Sequence, residues 1–128
     1  MLQFERFKLT VKAHNPSTNE TKAFGRDIVL GDGLNFIVGE NTSGKTTIAK
    51  CFYYVLGMEE LIEAKRGIDS LDKSVKDQFT ATRDGMEELW YVRTAYVEAK
   101  MCNENDEHII INRGRFLTGG RTSMLCCL

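Results

Sequence analysis

Apolar positions near the start recur at every second residue, as Leu2/Phe4 and then Phe7/Leu9/Val11, with one change of phase between the sets. That pattern predicts a half-buried strand over residues 2–11 carrying one irregularity. His14-Asn15-Pro16-Ser17-Thr18-Asn19-Glu20 has turn chemistry and holds the only proline. Phe24 to Leu30 reads as a second strand, and Gly31-Asp32-Gly33 as a tight turn after it. The apolar stretch Leu34-Asn35-Phe36-Ile37-Val38 is long enough for a buried strand. The period then changes. Ile48, Phe52, Val55 and Leu56 follow helical spacing, which predicts a helix packing one face on a sheet, with Gly57 as a left-handed C-terminal cap. Cys51 lies beside that face as a small core residue. Residues 58–87 are charged and weakly periodic, with a short helix expected around residues 72–79 inside an irregular connection. Alternation returns from Leu89 to Ala99, the polar run 103–107 turns the chain, and His108–Asn112 reads as the returning strand.

Composition narrows the setting without naming a chemistry. At 128 residues the chain forms one modest domain. With 17 basic and 18 acidic residues there is no global basic footprint for nucleic acid. Lys8, Lys12, Lys22 and Arg26 cluster early and Arg113, Arg115 and Arg121 late, as solvated surfaces usually do. No apolar run is long enough to cross a bilayer and the start lacks a secretory core, so no membrane is expected. Cysteines at 51, 102, 126 and 127 have no zinc-ligand spacing, and a reducing, cytoplasmic setting is the expectation. His14 and His108 are isolated in sequence from any metal or base constellation.

Chemistry concentrates between the third strand and the helix. Gly39-Glu40-Asn41-Thr42-Ser43-Gly44-Lys45-Thr46 matches the phosphate-loop pattern G-x-x-x-x-G-K-[ST] in its required strand–loop–helix context. Gly39 and Gly44 let backbone N–H groups approach an anion that a Cβ would obstruct. The helix start contributes unsatisfied N–H donors and the positive end of its macrodipole. Lys45 is expected to reach the β- and γ-phosphates and the Thr46 hydroxyl to ligate Mg²⁺. Thr47 offers a further hydroxyl or amide near the α-phosphate, and Asn41 and Ser43 complete the loop. A nucleoside triphosphate and Mg²⁺ are therefore the expected ligands. No catalytic residue is identified.

With the loop placed, the element order resembles the N-terminal part of an ABC-type ATPase head of the SMC family, including the SbcC-type double-strand-break repair ATPases and RecN. The segment from Gly33 to Thr47 looks like the family's G-L-N-x-I-x-G-x-N-x-S-G-K-[ST]-[ST]. A strand–turn–strand precedes it by some thirty residues, and the Leu89–Arg113 hairpin resembles the family's β-rich lobe, pairing Tyr96–Ala99 with Ile109–Arg113. The resemblance covers roughly residues 1–113 and leaves 114–128 as an irregular tail. It implies an α/β P-loop NTPase fold with a mixed sheet, a P-loop helix and an antiparallel hairpin, incomplete in this chain. It also implies two heads that sandwich ATP, with DNA engaged through the complete assembly. By motif position the phosphate roles fall to Gly39, Asn41, Gly44, Lys45, Thr46 and Thr47, while residues near Lys12–Asn15 are candidates for the adenine.

Other family parts are missing. No four-residue apolar run precedes Asp-Glu, so a Walker B acid is lacking; no heptads follow, and Gln78 is misplaced for a Q-loop. Leu117-Thr118-Gly119-Gly120-Arg121 resembles the L-S-G-G signature, against an arbitrary tail as the alternative. The expected function is an ATP-binding segment of an SMC-like, DNA-associated ATPase in repair, chromosome maintenance or anti-phage defence, inactive in hydrolysis on its own. Its expected partners are a second head or the missing C-terminal half. The alternatives are a truncated, non-catalytic partner-binding module and another class of P-loop NTPase. For the latter, no N-K-x-D tetrapeptide supports a GTPase and the sparse arginines do not assemble a kinase lid.

Overall fold

The computed structural model describes residues 1–41, 43–62, 67–116 and 122–127. Among these residues there are six strands and two α-helices: β1 (Gln3–Asn15), β2 (Glu20–Val29), α1 (Lys45–Val55), α2 (Lys73–Lys76), β3 (Gln78–Arg83), β4 (Met86–Cys102), β5 (His108–Phe116) and β6 (Thr122–Cys127). Short 3-10 turns at Glu59–Leu61 and Gly67–Ser70 lie between the helices. The sheet runs β2-β1-β4-β5-β6, and β3 pairs with the first part of β4. Every pairing among the described residues is antiparallel.

The phase change read in the first strand is real. Pairing of β1 with β4 shifts register between Phe4 and Arg6, and again between Lys12 and Ala13. Between those shifts the two faces separate cleanly. Phe7, Leu9 and Val11 lie opposite Ala99, Val97 and Ala95 and all six are buried, whereas Lys8 lies opposite Glu98 on the other face. The expected pairing of Tyr96–Ala99 with Ile109–Arg113 is present between β4 and β5, with Val97 opposite Arg113 and Ala99 opposite Ile111.

Helix α1 covers the apolar face. Ile48, Cys51, Tyr54 and Val55 are buried in one cluster with the β1 and β4 residues, Leu71 and Val75, while Phe52 and Leu56 pack at its edge. Phe52 stacks on Phe7 with ring centroids 4.1 Å apart and meets Phe4 edge-on at 5.5 Å. Gly57, with φ 70°, ends the helix: its N–H donates to the Tyr54 carbonyl and that of Met58 to the Tyr53 carbonyl. These two bonds form a Schellman cap. A second apolar group lies farther along the sheet, where Phe24 meets both Trp90 and Phe79 edge-on.

Three expectations change. Leu34–Val38 is not a buried strand: Leu34, Phe36 and Val38 are 80, 79 and 90% exposed and no described strand pairs with them. A strand needs a neighbour for its N–H and C=O groups, and the existing strands pair among themselves. The parallel component of a mixed sheet is accordingly not formed by these residues. Second, the connection 58–87 contains β3, and the helix within it is confined to Lys73–Lys76. Third, the irregular tail expected at 114–128 instead continues β5 to Phe116 and, over Thr122–Cys127, adds β6. The otherwise free edge of β5 supplies the ladder. The signature-like Leu117–Arg121 lies outside the described residues.

Candidate functional site

The loop Gly39–Thr46 joins the exposed apolar run to α1. Its entry is set by Asn35, whose side chain accepts the Gly31 N–H at 2.9 Å and donates to the Gly31 and Gly33 carbonyls at 2.9 and 3.2 Å. Within the loop the Ser43 N–H donates to the Glu40 carbonyl at 3.2 Å. A Cβ on Gly39 would fall 2.6 Å from Ser43 Oγ, so a larger residue there would force the Ser43 side chain to move. Gly44 is the N-cap of α1 at φ 86°, a left-handed conformation with no side-chain cap. It swings the chain into the helix and leaves the first-turn amides uncovered.

Helical bonding begins with the Ile48 N–H to the Gly44 carbonyl at 2.9 Å. The N–H groups of Lys45, Thr46 and Thr47 precede it and have no carbonyl to meet within the helix. The Lys45 ammonium folds back over the loop, donating to the Gly39 and Glu40 carbonyls at 2.5 and 2.6 Å and approaching Ser43 Oγ at 3.4 Å. An open cavity of about 230 Å³ is lined by Asn41, Ser43, Gly44, Lys45, Thr46 and Thr47. One lysine, the first-turn amides and the hydroxyl residues Ser43, Thr46 and Thr47 form a set suited to an anion. Six of the seven sequence-nominated residues line that cavity, and Gly39 makes the turn behind it.

Thr47 has a second role. Its hydroxyl donates to Asp72 Oδ2 at 2.5 Å, and Lys50 Nζ donates to Asp72 Oδ1 at 2.9 Å. Burial alone would raise the Asp72 carboxyl; the hydrogen bonds from Thr47 and Lys50, with the charges of Lys50 and Lys76, outweigh it and hold the group below its usual range. A more apolar cavity of about 310 Å³ adjoins the loop. It shares Ser43, Gly44 and Thr47 with the phosphate-sized one and is walled by Leu9, Phe24 and Val75 among others. The residues near Lys12–Asn15 suggested for the base do not line it.

The far end of α1 is held differently. Arg113 donates to both Glu59 carboxylate oxygens at 2.8 and 2.9 Å and to the Tyr54 carbonyl at 2.5 Å, with its guanidinium 4.3 Å from the Tyr54 ring centroid. Glu59 is 5% exposed. Desolvation pushes its carboxyl up, but the Arg113 hydrogen bonds and charge, with backbone N–H donors, leave it below its ordinary value. Asp72, Glu59 and Arg113 were not singled out for these roles by spacing, since their partners lie 25 and 54 residues away. Cys51 is buried, and desolvation followed by the Asp72 charge pushes its thiol up to about 12, which makes it inert. His108 Nδ1 lies 3.2 Å from Glu5, and no cluster of three metal-ligating side chains exists among the described residues. No described helix is long and apolar enough to cross a membrane.

Comparison with known families places this arrangement. A family profile described as an AAA domain matches residues 22–124, most of the chain. The chain therefore belongs to this AAA-domain family of P-loop ATPases, whose members use nucleotide. No curated protein matches the chain significantly.

Proposed function

We propose that this chain is the ATP-binding part of an SMC-like, DNA-associated ATPase head, working in the cytoplasm and completed by polypeptide that it does not itself supply. The observation that carries the reading is the conjunction at the start of α1: a left-handed Gly44, uncovered first-turn amides and a lysine clasped over the loop, all lining one cavity. Gly39, Asn41, Ser43, Gly44, Lys45 and Thr47 would hold the phosphates, and Thr46 would ligate Mg²⁺. The metal, when bound, would supply positive charge to offset that of the phosphates.

Binding and turnover separate in this reading. Binding needs the amide cradle and the lysine, whereas hydrolysis needs a group that positions water. The sequence lacks the family's acid for that step. The chain alone therefore binds Mg·ATP and releases no phosphate at steady state. Calorimetric titration with Mg·ATP tests this: Lys45→Ala should weaken binding by at least tenfold. Equal affinity in the variant, or none in folded wild-type protein, refutes the reading.

A second reading, a non-catalytic partner-binding module, is favoured by one observation. Leu34, Phe36 and Val38 are largely exposed in the run that leads into the loop. In the leading account the same run receives the other half of the head. Light scattering on the purified chain, with and without Leu34/Phe36/Val38→Ser, distinguishes an association surface from an inert segment.

A further inference from the structure

We propose that Asp72 is a positioning residue that fixes the wall of a nucleoside pocket beside the phosphate loop, so that it governs preference for a nucleotide over bare polyphosphate. The inference rests on the reading of Gly39–Thr47 as a triphosphate site and adds a specificity device to it. Asp72 grips α1 at two points. Thr47 and Lys50 are three residues apart, on one face of the helix, and each donates to a different oxygen of the same carboxylate. The same residue starts α2, its backbone carbonyl accepting the N–H groups of Val75 and Lys76 at 2.9 and 3.2 Å.

Helix α2 is four residues long, far too short to persist by its own propensity. Its position therefore depends on the Asp72 grip and on burial of Val75, which is 2% exposed. Ser74 and Val75 line the 310 Å³ cavity together with Leu9, Val11 and Phe24. That cavity meets the phosphate-sized one at Ser43, Gly44 and Thr47. A ligand spanning both is polyanionic at one end and flat and largely apolar at the other, which is the chemistry of a nucleoside triphosphate.

Thr47 also carries information. A hydroxyl has one proton to donate, and here it goes to Asp72. The Thr47 backbone N–H is left for a phosphate. Loss of Asp72 thus loosens the nucleoside wall while sparing the amide cradle. It also removes a negative charge from beside an anion site, which favours the polyphosphate.

The test is calorimetric titration of the full chain with Mg·ATP and with magnesium tripolyphosphate. Wild-type protein should prefer ATP. Asp72→Ala should weaken ATP about tenfold, the scale of a lost charged hydrogen bond, and leave tripolyphosphate equal or tighter. Asp72→Asn retains an acceptor for Thr47 and should recover most of the ATP preference. Equal weakening of both ligands by Asp72→Ala would mean a general loss of structure and overturns the proposal, as does no change in either. If that variant does not melt cooperatively, Thr47→Val breaks the bond from the other side and must reduce the preference, while Thr47→Ser must keep it. Wild-type protein that binds both ligands equally overturns the nucleoside pocket but spares the loop. Failure to bind either overturns both.

Discussion

Strand β1 and the run Leu34–Val38 carry comparable apolar content, yet they end in opposite environments. Phe7, Leu9 and Val11 are buried under α1 and paired on both sides by β2 and β4. Leu34, Phe36 and Val38 face solvent with no described strand beside them. Side-chain pattern decides which residues would gain from burial. Backbone pairing decides whether a segment can collect that gain, because unpaired N–H and C=O groups resist leaving water. The candidate site hangs between these regimes. Its helix is anchored in the packed sheet, while the segment leading into its loop has no described strand beside it.

Trp90→Ala should be the strongest way to probe the packed side. Trp90 is 2% exposed beneath Phe24 and Phe79, and truncation of a buried aromatic costs about 3–5 kcal/mol. Urea unfolding should register it as a lower midpoint; a loss below about 1 kcal/mol would mean that this part of the sheet is loosely packed.

A clamp at the end of α1 comes next. Arg113→Ala leaves the Glu59 carboxylate buried without its partner, a change that typically costs about 3 kcal/mol. Acid titration sharpens the point. A carboxyl whose folded pKa is depressed adds stability above its unfolded pKa and loses it as pH falls through the folded value. Glu59→Gln should therefore melt well below wild type at neutral pH, with the gap closing below the ordinary carboxylate range. A gap independent of pH would remove the charge from the explanation.

The smallest effect belongs to the exposed run. Replacing Leu34, Phe36 and Val38 with serine should change monomer stability by less than about 0.5 kcal/mol, as exposed positions do. It should reduce self-association seen by light scattering. A large loss of stability would erase the contrast with β1.

How much could be read in advance follows the same division. The phase slip in β1, the helix with its Gly57 cap and the β4–β5 hairpin were legible, because each is written in local spacing or turn chemistry. The glycine-rich loop was legible because its residues are contiguous. Tyr54 escaped: its polar ring lies off the stripe of Ile48, Phe52 and Val55, yet it is buried against Arg113. The Thr47–Asp72 and Glu59–Arg113 contacts escaped because no local rule links residues so far apart. Strand β3 was missed because Phe79 stands among polar residues, and only pairing with β4 makes Gln78–Arg83 a strand. Residues 34–38 were misjudged for the converse reason, since their pattern is strand-like but no described strand pairs with them.

The central claim is that uncovered amides at the start of α1 hold the phosphates of ATP. Hydrogen exchange with and without Mg·ATP measures those amides directly. The account predicts slower exchange across Gly44–Thr47 that vanishes in Lys45→Ala, with Leu34–Val38 still exchanging freely. Binding of ATP without protection at Gly44–Thr47, or protection that survives Lys45→Ala, would contradict it.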